Sequence, residues 1–397
     1  MLKNNDCKMT KEIKHISYGR QNITDADIEA VVEVLKSNYL TQGPKVSEFE
    51  EKFAGYVGAK YSVAVSNGTA ALHLSALALG VKPGHKVLTT PITFLATANS
   101  VLYCGGEIDF VDIDKDTYLI DIDKLEAKLE LAPKGTYQGI IPVDFAGYPV
   151  NLERLRELAD KHKLWIIEDA CHAPGGYFID SNKINQNCGN GIFSDLSIFS
   201  FHPVKHIACG EGGMITTNNE VLYKKLLNLR THGIQQDKSL CEENHGIWYY
   251  EMQELGFNYR LSDIQCALGT SQLSRANEGL EKRQNIANRY DELFKDHPNV
   301  KIPFRDKNIF HAFHLYVIQT KYRDDLIKHL REHKIFAQVH YIPVHLQKYY
   351  RQKGWKTGDL PVAEEYYKQA LSIPIYPTLT NEEQNFVVEK IFEICNE

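Results

Sequence analysis

Lys205 stands where the apolar run Ile198-Phe199-Ser200-Phe201 breaks into Gly210-Glu211-Gly212-Gly213. A surface turn is the usual place for a lysine. At the edge of a desolvated crevice, however, the amine can lose its proton and attack a carbonyl to form a Schiff base. Three more clusters carry groups suited to the same small, phosphorylated, cationic ligand. Ser66-Asn67-Gly68-Thr69 opens a helical pattern, where free N–H groups and a glycine suit a phosphate, although the same residues are ordinary helix caps. Glu168-Asp169-Ala170-Cys171-His172 follows the buried run Leu164-Trp165-Ile166-Ile167 and can aim a carboxylate at a ligand cation. Gly256-Phe257-Asn258-Tyr259-Arg260 offers amide and guanidinium donors, or simply leads into the next helix. Phe94 can stack on an aromatic ring or fill the core. A phosphate cup, a carboxylate, a Schiff-base lysine and a stacking aromatic are the fittings of pyridoxal phosphate, an electron sink when its ring nitrogen stays protonated beside an acid. The order cup, Asp169, Lys205 is that of its fold-type I enzymes.

Positioning these groups requires strands that end at one edge. Short β-branched runs (YSVAV, KVLTTP, EIDFVDID, GIIPVDFAG, LWIIEDA, SIFSF, GGMITTN) alternate with helical patterns, which predicts an α/β domain with a mainly parallel sheet covered on both faces. Ligands of such sheets gather at the carboxyl ends of the strands. Helices are predicted over residues 25–37 and 46–57, with the turn LTQGPK between them. From Ser262 one long helical pattern leads away. After Pro298 the strand-like HAFHLYVIQT and FAQVHYIPVH, with helices near 323–332 and 382–395, predict a smaller α+β domain. We therefore expect a large α/β/α domain over 17–295, including the connecting helix, and a small α+β domain over 296–397.

Composition narrows the function. The chain has 397 residues, 43% hydrophobic, and a net charge of −6 with no basic block, so a nucleic-acid footprint is not expected. No apolar run has signal-peptide character or membrane-spanning length, which predicts a cytoplasmic protein. The eight cysteines lie far apart without CxxC spacing and read as reduced thiols. His311, His314, His340 and His345 form no metal-binding pattern and read as packing or substrate-facing residues, so no metal is expected.

The segments LTQGPKVSEFEEKFA, VSNGTAALHL, EDACHAPGG, FSFHPVKHIACGEGG and GFNYRLSDIQCALGTSQL resemble the DegT/DnrJ/StrS nucleotide-sugar aminotransferases, from about Ser17 to the C-terminus. WYYEMQELGFNYRLSD and VHYIPVHLQKYY resemble the branch that makes the pseudaminic acid precursor for a surface glycan. The resemblance implies an aspartate aminotransferase-like fold of type I, and amination at C4 of a UDP-linked 4-keto-6-deoxy-N-acetylhexosamine by glutamate. Sister enzymes act on other UDP-, GDP- or dTDP-linked 3- or 4-keto sugars. By resemblance Lys205 binds the cofactor and shuttles a proton, Asp169 partners the pyridinium nitrogen, and His172 meets the phenolic oxygen. Phe94 takes the stacking place, and Gly68, Thr69 and Ser200 form the phosphate cup. Asn258 matches an asparagine that reaches the phosphate from the neighbouring subunit, which implies a homodimer. Tyr18, Thr41, Gln42, Gly43, Asn67, His340 and Tyr341 fall where the branch lines its sugar or uridine pocket. Two departures stand out: Ala208-Cys209 replaces a small hydroxyl pair, and the asparagine-rich segment 178–194 is longer than usual. Histidine in place of the lysine marks a dehydratase branch, and Lys205 argues against it.

Overall fold

The computed structural model describes residues 15–396; the N-terminal stretch read for targeting signals, including Cys7, lies outside them. Seven strands form the central sheet: β1 Tyr61–Val65, β2 Lys86–Thr89, β3 Glu107–Phe110, β4 Gly139–Ile141, β5 Trp165–Asp169, β6 Leu196–Ser200 and β7 Gly213–Thr217. Their order is β1-β7-β6-β5-β4-β2-β3. The pairs among β2 to β6 are parallel, whereas β7 runs antiparallel to both β6 and β1. Six strands thus end at one edge, and β7 begins there, with Gly213 opposite both Val65 and Ser200.

Both faces of the sheet are buried, as its near-continuous apolar strands require. In β1, Val63 and Val65 enter one core while Ala64 enters another; Ile198 and Phe199 of β6 divide the same way. Helix α1 spans Asp25–Leu35 and α2 spans Pro44–Val57, close to the predicted limits. The two helices nearest the strand ends are α3, Gly68–Ala78, and α4, Leu95–Tyr103. Buried on nearly every side, α3 packs on β5, β6 and β7.

The single long helix expected after Ser262 is two, α5 Asp263–Ser274 and α6 Ala276–Leu293, separated at Arg275. Arg275 leaves helical geometry to pair with the buried Asp27 of α1 (Nη2 to Oδ2, 2.5 Å), so a tertiary ion pair overrides the local pattern. The far half of α6 enters a second core with β8 Tyr316–Gln319, β9 Ala370–Ile373, α7 Arg323–Glu332 and α8 Asn381–Cys395. β8 and β9 pair antiparallel. Ile16 joins this core as well, where Ile16–Ser17 pairs parallel with Ile335–Phe336.

The asparagine-rich segment forms a hairpin, Tyr177–Ile179 with Asn185–Asn187, whose first strand pairs with Ile309–Phe310. The described cysteines are unpaired. Among the described residues no helix is long and apolar enough to cross a membrane.

Candidate active site

A cavity of about 620 Å³ opens at the carboxyl edge of the sheet. Its floor is the start of α3. Asn67 caps that helix, its Oδ1 accepting from Ala70 N at 2.8 Å, and the first-turn N–H groups of Gly68 and Thr69 lack intrahelical acceptors. Space at the cup is limited. A Cβ on Gly68 would lie 3.0 Å from Ser200 Cβ, and one on Gly213 would lie 2.5 Å from Asn67 O and 2.9 Å from Gly68 N. Of the glycines after the lysine, Gly213 therefore lets β7 pass directly behind the cup. Gly210 instead supplies a positive φ of 77° in open space.

Asp169 ends β5 and is almost fully buried. Its Oδ2 accepts from Thr97 Oγ1 at 2.8 Å, and Oδ1 accepts from Cys171 N at 3.3 Å. Thr97 spends its proton on Asp169, so it must accept from Thr93 Oγ1, 2.7 Å away. Two threonines one helical turn apart thus orient the carboxylate; the sequence reading missed both, although their spacing at the mouth of α4 was visible.

Lys205 lies on the loop joining β6 to β7, its N–H donating to His202 O at 2.8 Å. Burial, with the nearby Arg283 guanidinium, pulls its amine below the ordinary lysine range, against the opposing pull of Cys171 and Asp169. His172 is buried and held far below the usual imidazole range by burial and by Lys205. Its Nδ1 accepts from Ala146 N at 3.2 Å, so the neutral ring carries its proton on Nε2. That Nε2 faces Tyr341 Oη at 3.3 Å. The His314 ring lies tilted by 38° to that of His172, with centroids 4.3 Å apart, and is likewise pushed down by burial. His340, with Nδ1 2.9 Å from Ser372 Oγ, is lowered to about 3 by burial.

Of the expected residues, Tyr18, Asn67, Gly68, Thr69, Phe94, Asp169, His172, Ser200, Lys205, His340 and Tyr341 line this one cavity. Phe94 is 59% exposed at its mouth, its ring 6.2 Å from that of Tyr341. Thr41, Gln42, Gly43 and Asn258 do not line it. Their contacts lie outside the lining: Thr41 bridges to Ser262, Gly43 N donates to the buried Asp263 Oδ2 at 2.7 Å, and Asn258 bridges to Thr231. Thr41, Gln42 and Asn258 are exposed. Ala208 and Cys209 are buried, with Cys209 packed against Gly269 of α5.

Known proteins share both sequence and geometry. The chain is 39% identical over 386 residues to the UDP-4-amino-4,6-dideoxy-N-acetyl-beta-L-altrosamine transaminase of Campylobacter jejuni, covering 96% of this chain and 97% of that one. Helicobacter pylori PseC, an aminotransferase involved in the biosynthesis of pseudoaminic acid, superposes with a TM-score of 0.86 at 32% identity, over 96% of this chain and all of that one. The pyridoxal phosphate form of the putative sugar aminotransferase Spr1654 of Streptococcus pneumoniae superposes at 0.87 with 27% identity, over 96% and 99% of the two chains. The profile of one family matches residues 21–392. A lysine and a carboxylate facing one crevice beneath a helix N-terminus are what its chemistry needs, and the chain belongs to the DegT/DnrJ/EryC1/StrS aminotransferase family.

Proposed function

We propose that the protein transfers the amino group of glutamate to C4 of UDP-2-acetamido-2,6-dideoxy-β-L-arabino-hexos-4-ulose. The product would be UDP-4-amino-4,6-dideoxy-N-acetyl-β-L-altrosamine, made in the cytoplasm. The observation that carries the reading is the convergence of Lys205, Asp169 and the α3 N-terminus on one cavity. The identity to the C. jejuni transaminase and the superposition on PseC support this sugar.

The cavity fits pyridoxal phosphate. Its cup is a space that a single Cβ at position 68 would crowd, with Gly68 N and the hydroxyls of Thr69 and Ser200 available as donors. The bound cofactor supplies an electron sink for charge developing at the carbon that carries the amine. Asp169, fixed by Thr97, holds the pyridine nitrogen in its protonated form. Phe94 would cover the ring, and His172 would offer its Nε2–H, now facing Tyr341 Oη, to the phenolic oxygen. Lys205 Nζ, biased toward its neutral form by burial, accepts a proton from the donor's α-carbon and delivers one to sugar C4 as general base and acid. Tyr18, Asn67, His340 and Tyr341 orient the sugar.

The remaining residues, Thr41, Gln42, Gly43 and Asn258, complete the site of a second copy in a homodimer, with Asn258 reaching its phosphate. Exposed apolar residues near them support that interface: Tyr39 (57%), Leu40 (46%) and Leu255 (76%). Incubating the holoenzyme with this sugar and glutamate should yield the amino sugar and 2-oxoglutarate, identified by mass and NMR. Lys205→Ala should yield neither. Turnover of a dTDP-linked or 3-keto sugar, with this sugar untouched, would assign the chain to a sister activity instead.

A further inference from the structure

Away from the cavity, on the small-domain surface, two histidines stand one helical turn apart. His329 lies on α7 and His333 is its C-terminal cap, so the two share one face of the helix. Glu393 of the C-terminal helix α8 comes up beside them. One donor atom of each lies within 4.8 Å of the others. Two imidazoles and a carboxylate, with histidines in H-x3-H spacing, form a ligand set that zinc and its neighbours prefer.

The local hydrogen bonds already orient these groups. His333 Nδ1 donates to the carbonyl of His329 at 2.9 Å, leaving the Nε2 lone pair of the neutral ring free to coordinate. A backbone carbonyl on the far nitrogen is how metal-binding histidines are commonly held. His329 Nε2–H donates to Glu393 Oε2 at 2.8 Å. Lys390 pairs with the other carboxylate oxygen, and Phe386 lies edge-on to His333 with centroids 6.4 Å apart. The side chains of His329 and Glu393 are 20% and 40% exposed, so an ion can enter from solvent.

We propose that His329, His333 and Glu393 bind one divalent ion of the zinc type, which fastens α7 to α8. The ion takes the place of the proton that His329 shares with Glu393, and that proton leaves to solvent. Tetrahedral bonds of about 2.0–2.1 Å put neighbouring ligand atoms roughly 3.4 Å apart, so closure needs only small rotations of accessible side chains. Water fills the fourth position.

The test uses the full-length holoenzyme, freed of any affinity tag and stripped of metal, titrated with Zn²⁺ by calorimetry and followed by thermal unfolding. One equivalent should bind, and the unfolding midpoint should rise with zinc concentration. His333→Asn keeps a donor to the His329 carbonyl but loses the coordinating nitrogen, and Glu393→Gln keeps an acceptor for His329 but loses the charge. Both should weaken binding at least about tenfold, because losing a mere hydrogen-bond partner of a ligand costs roughly 10–100-fold. Binding as tight in His333→Asn as in the unaltered protein would overturn the proposal. So would an absence of zinc uptake by the unaltered protein.

Discussion

Replacing Gly213 by alanine tests the cup without touching any group that does chemistry. The new Cβ would sit 2.5 Å from Asn67 O, 2.6 Å from Asn67 C and 2.9 Å from Gly68 N. These are backbone atoms of the helix cap, so no side chain can swing aside; β7 and the cup must part by about half an ångström or more to restore normal contact. Overpacking of this kind costs about 1–3 kcal/mol of stability. The larger effect should fall on the cofactor, because a displaced Gly68 N–H loses its alignment on the phosphate. One charge-assisted hydrogen bond is worth about 1.5–3 kcal/mol, or roughly 10–150-fold in Kd. Gly210→Ala is the control. It meets nothing within 4 Å and suffers only the left-handed strain of φ 77°, about 1–2 kcal/mol, leaving cofactor affinity unchanged. Urea unfolding of the cofactor-free proteins and titration with pyridoxal phosphate, read by its visible absorbance, separate the two effects. A folded Gly213→Ala protein that binds the cofactor with undiminished affinity would show that the α3 N-terminus is not the phosphate site.

Complementation tests the shared site. Lys205→Ala and Asn258→Ala proteins should each be impaired. Unfolded together and refolded, they should recover about a quarter of the unaltered turnover, because half of randomly paired dimers hold one intact site of two. No recovery would mean that Asn258 serves its own chain. A second prediction concerns Asp144 and Glu168, both fully buried behind Asp169. Among the described residues Asp144 and Glu168 share one buried cluster with the Cys188 thiol, and burial with the repulsion of Glu168 raises the Asp144 carboxyl well above its usual range. A raised pKa in the folded state means that the folded protein binds the extra proton. This stability is full below about pH 4 and is lost as pH climbs through the raised value. Asp144→Asn supplies a permanent N–H in place of that proton. Its urea midpoint should lie closest to that of the unaltered protein near pH 4 and exceed it increasingly as pH rises from there; a constant difference from pH 4 to pH 9 would refute the shared proton.

Much of the site was legible because its members lie next to strand ends. The cup, Asp169 and Lys205 each follow an apolar run directly, so chain order alone brings them to one edge. The partners of these groups were not legible. Thr93 and Thr97 acquire meaning only when the first turn of α4 meets the end of β5, where Thr97 bonds Asp169 across 72 residues of chain. Nothing local shows what Gly213 accommodates, which is the chain's own Asn67 carbonyl. The break at Arg275 escaped notice because its cause, Asp27, lies on the first helix. The hairpin in the asparagine-rich segment depends on Ile309–Phe310, which no local pattern reveals. Thr41, Gln42 and Asn258 were placed in a pocket by resemblance, and their exposure outside the lining of this chain's cavity is a tertiary fact.

The reversal of β7 constrains how the site can be reached. Because β6 and β7 are antiparallel neighbours, the loop that bears Lys205 leaves the sheet and returns to it at the same place. Phe201 N donates to Gly212 O at 2.8 Å, and Cys209 N donates to Phe201 O at 2.9 Å, so both ends are tied together. Those bonds fix the two ends of the loop, so motion at this wall is confined to the residues between them. The opposite wall, Tyr18 and the stretch Gln338–Tyr341, is tied instead to strands of the smaller domain: Tyr18 N donates to Phe336 O at 3.0 Å and Gln338 N to Ser372 O at 3.1 Å. On the proposed reading the amine sits on the tethered side of the cavity, and the walls that would carry the sugar contacts are the parts free to adapt when this scaffold takes a new substrate.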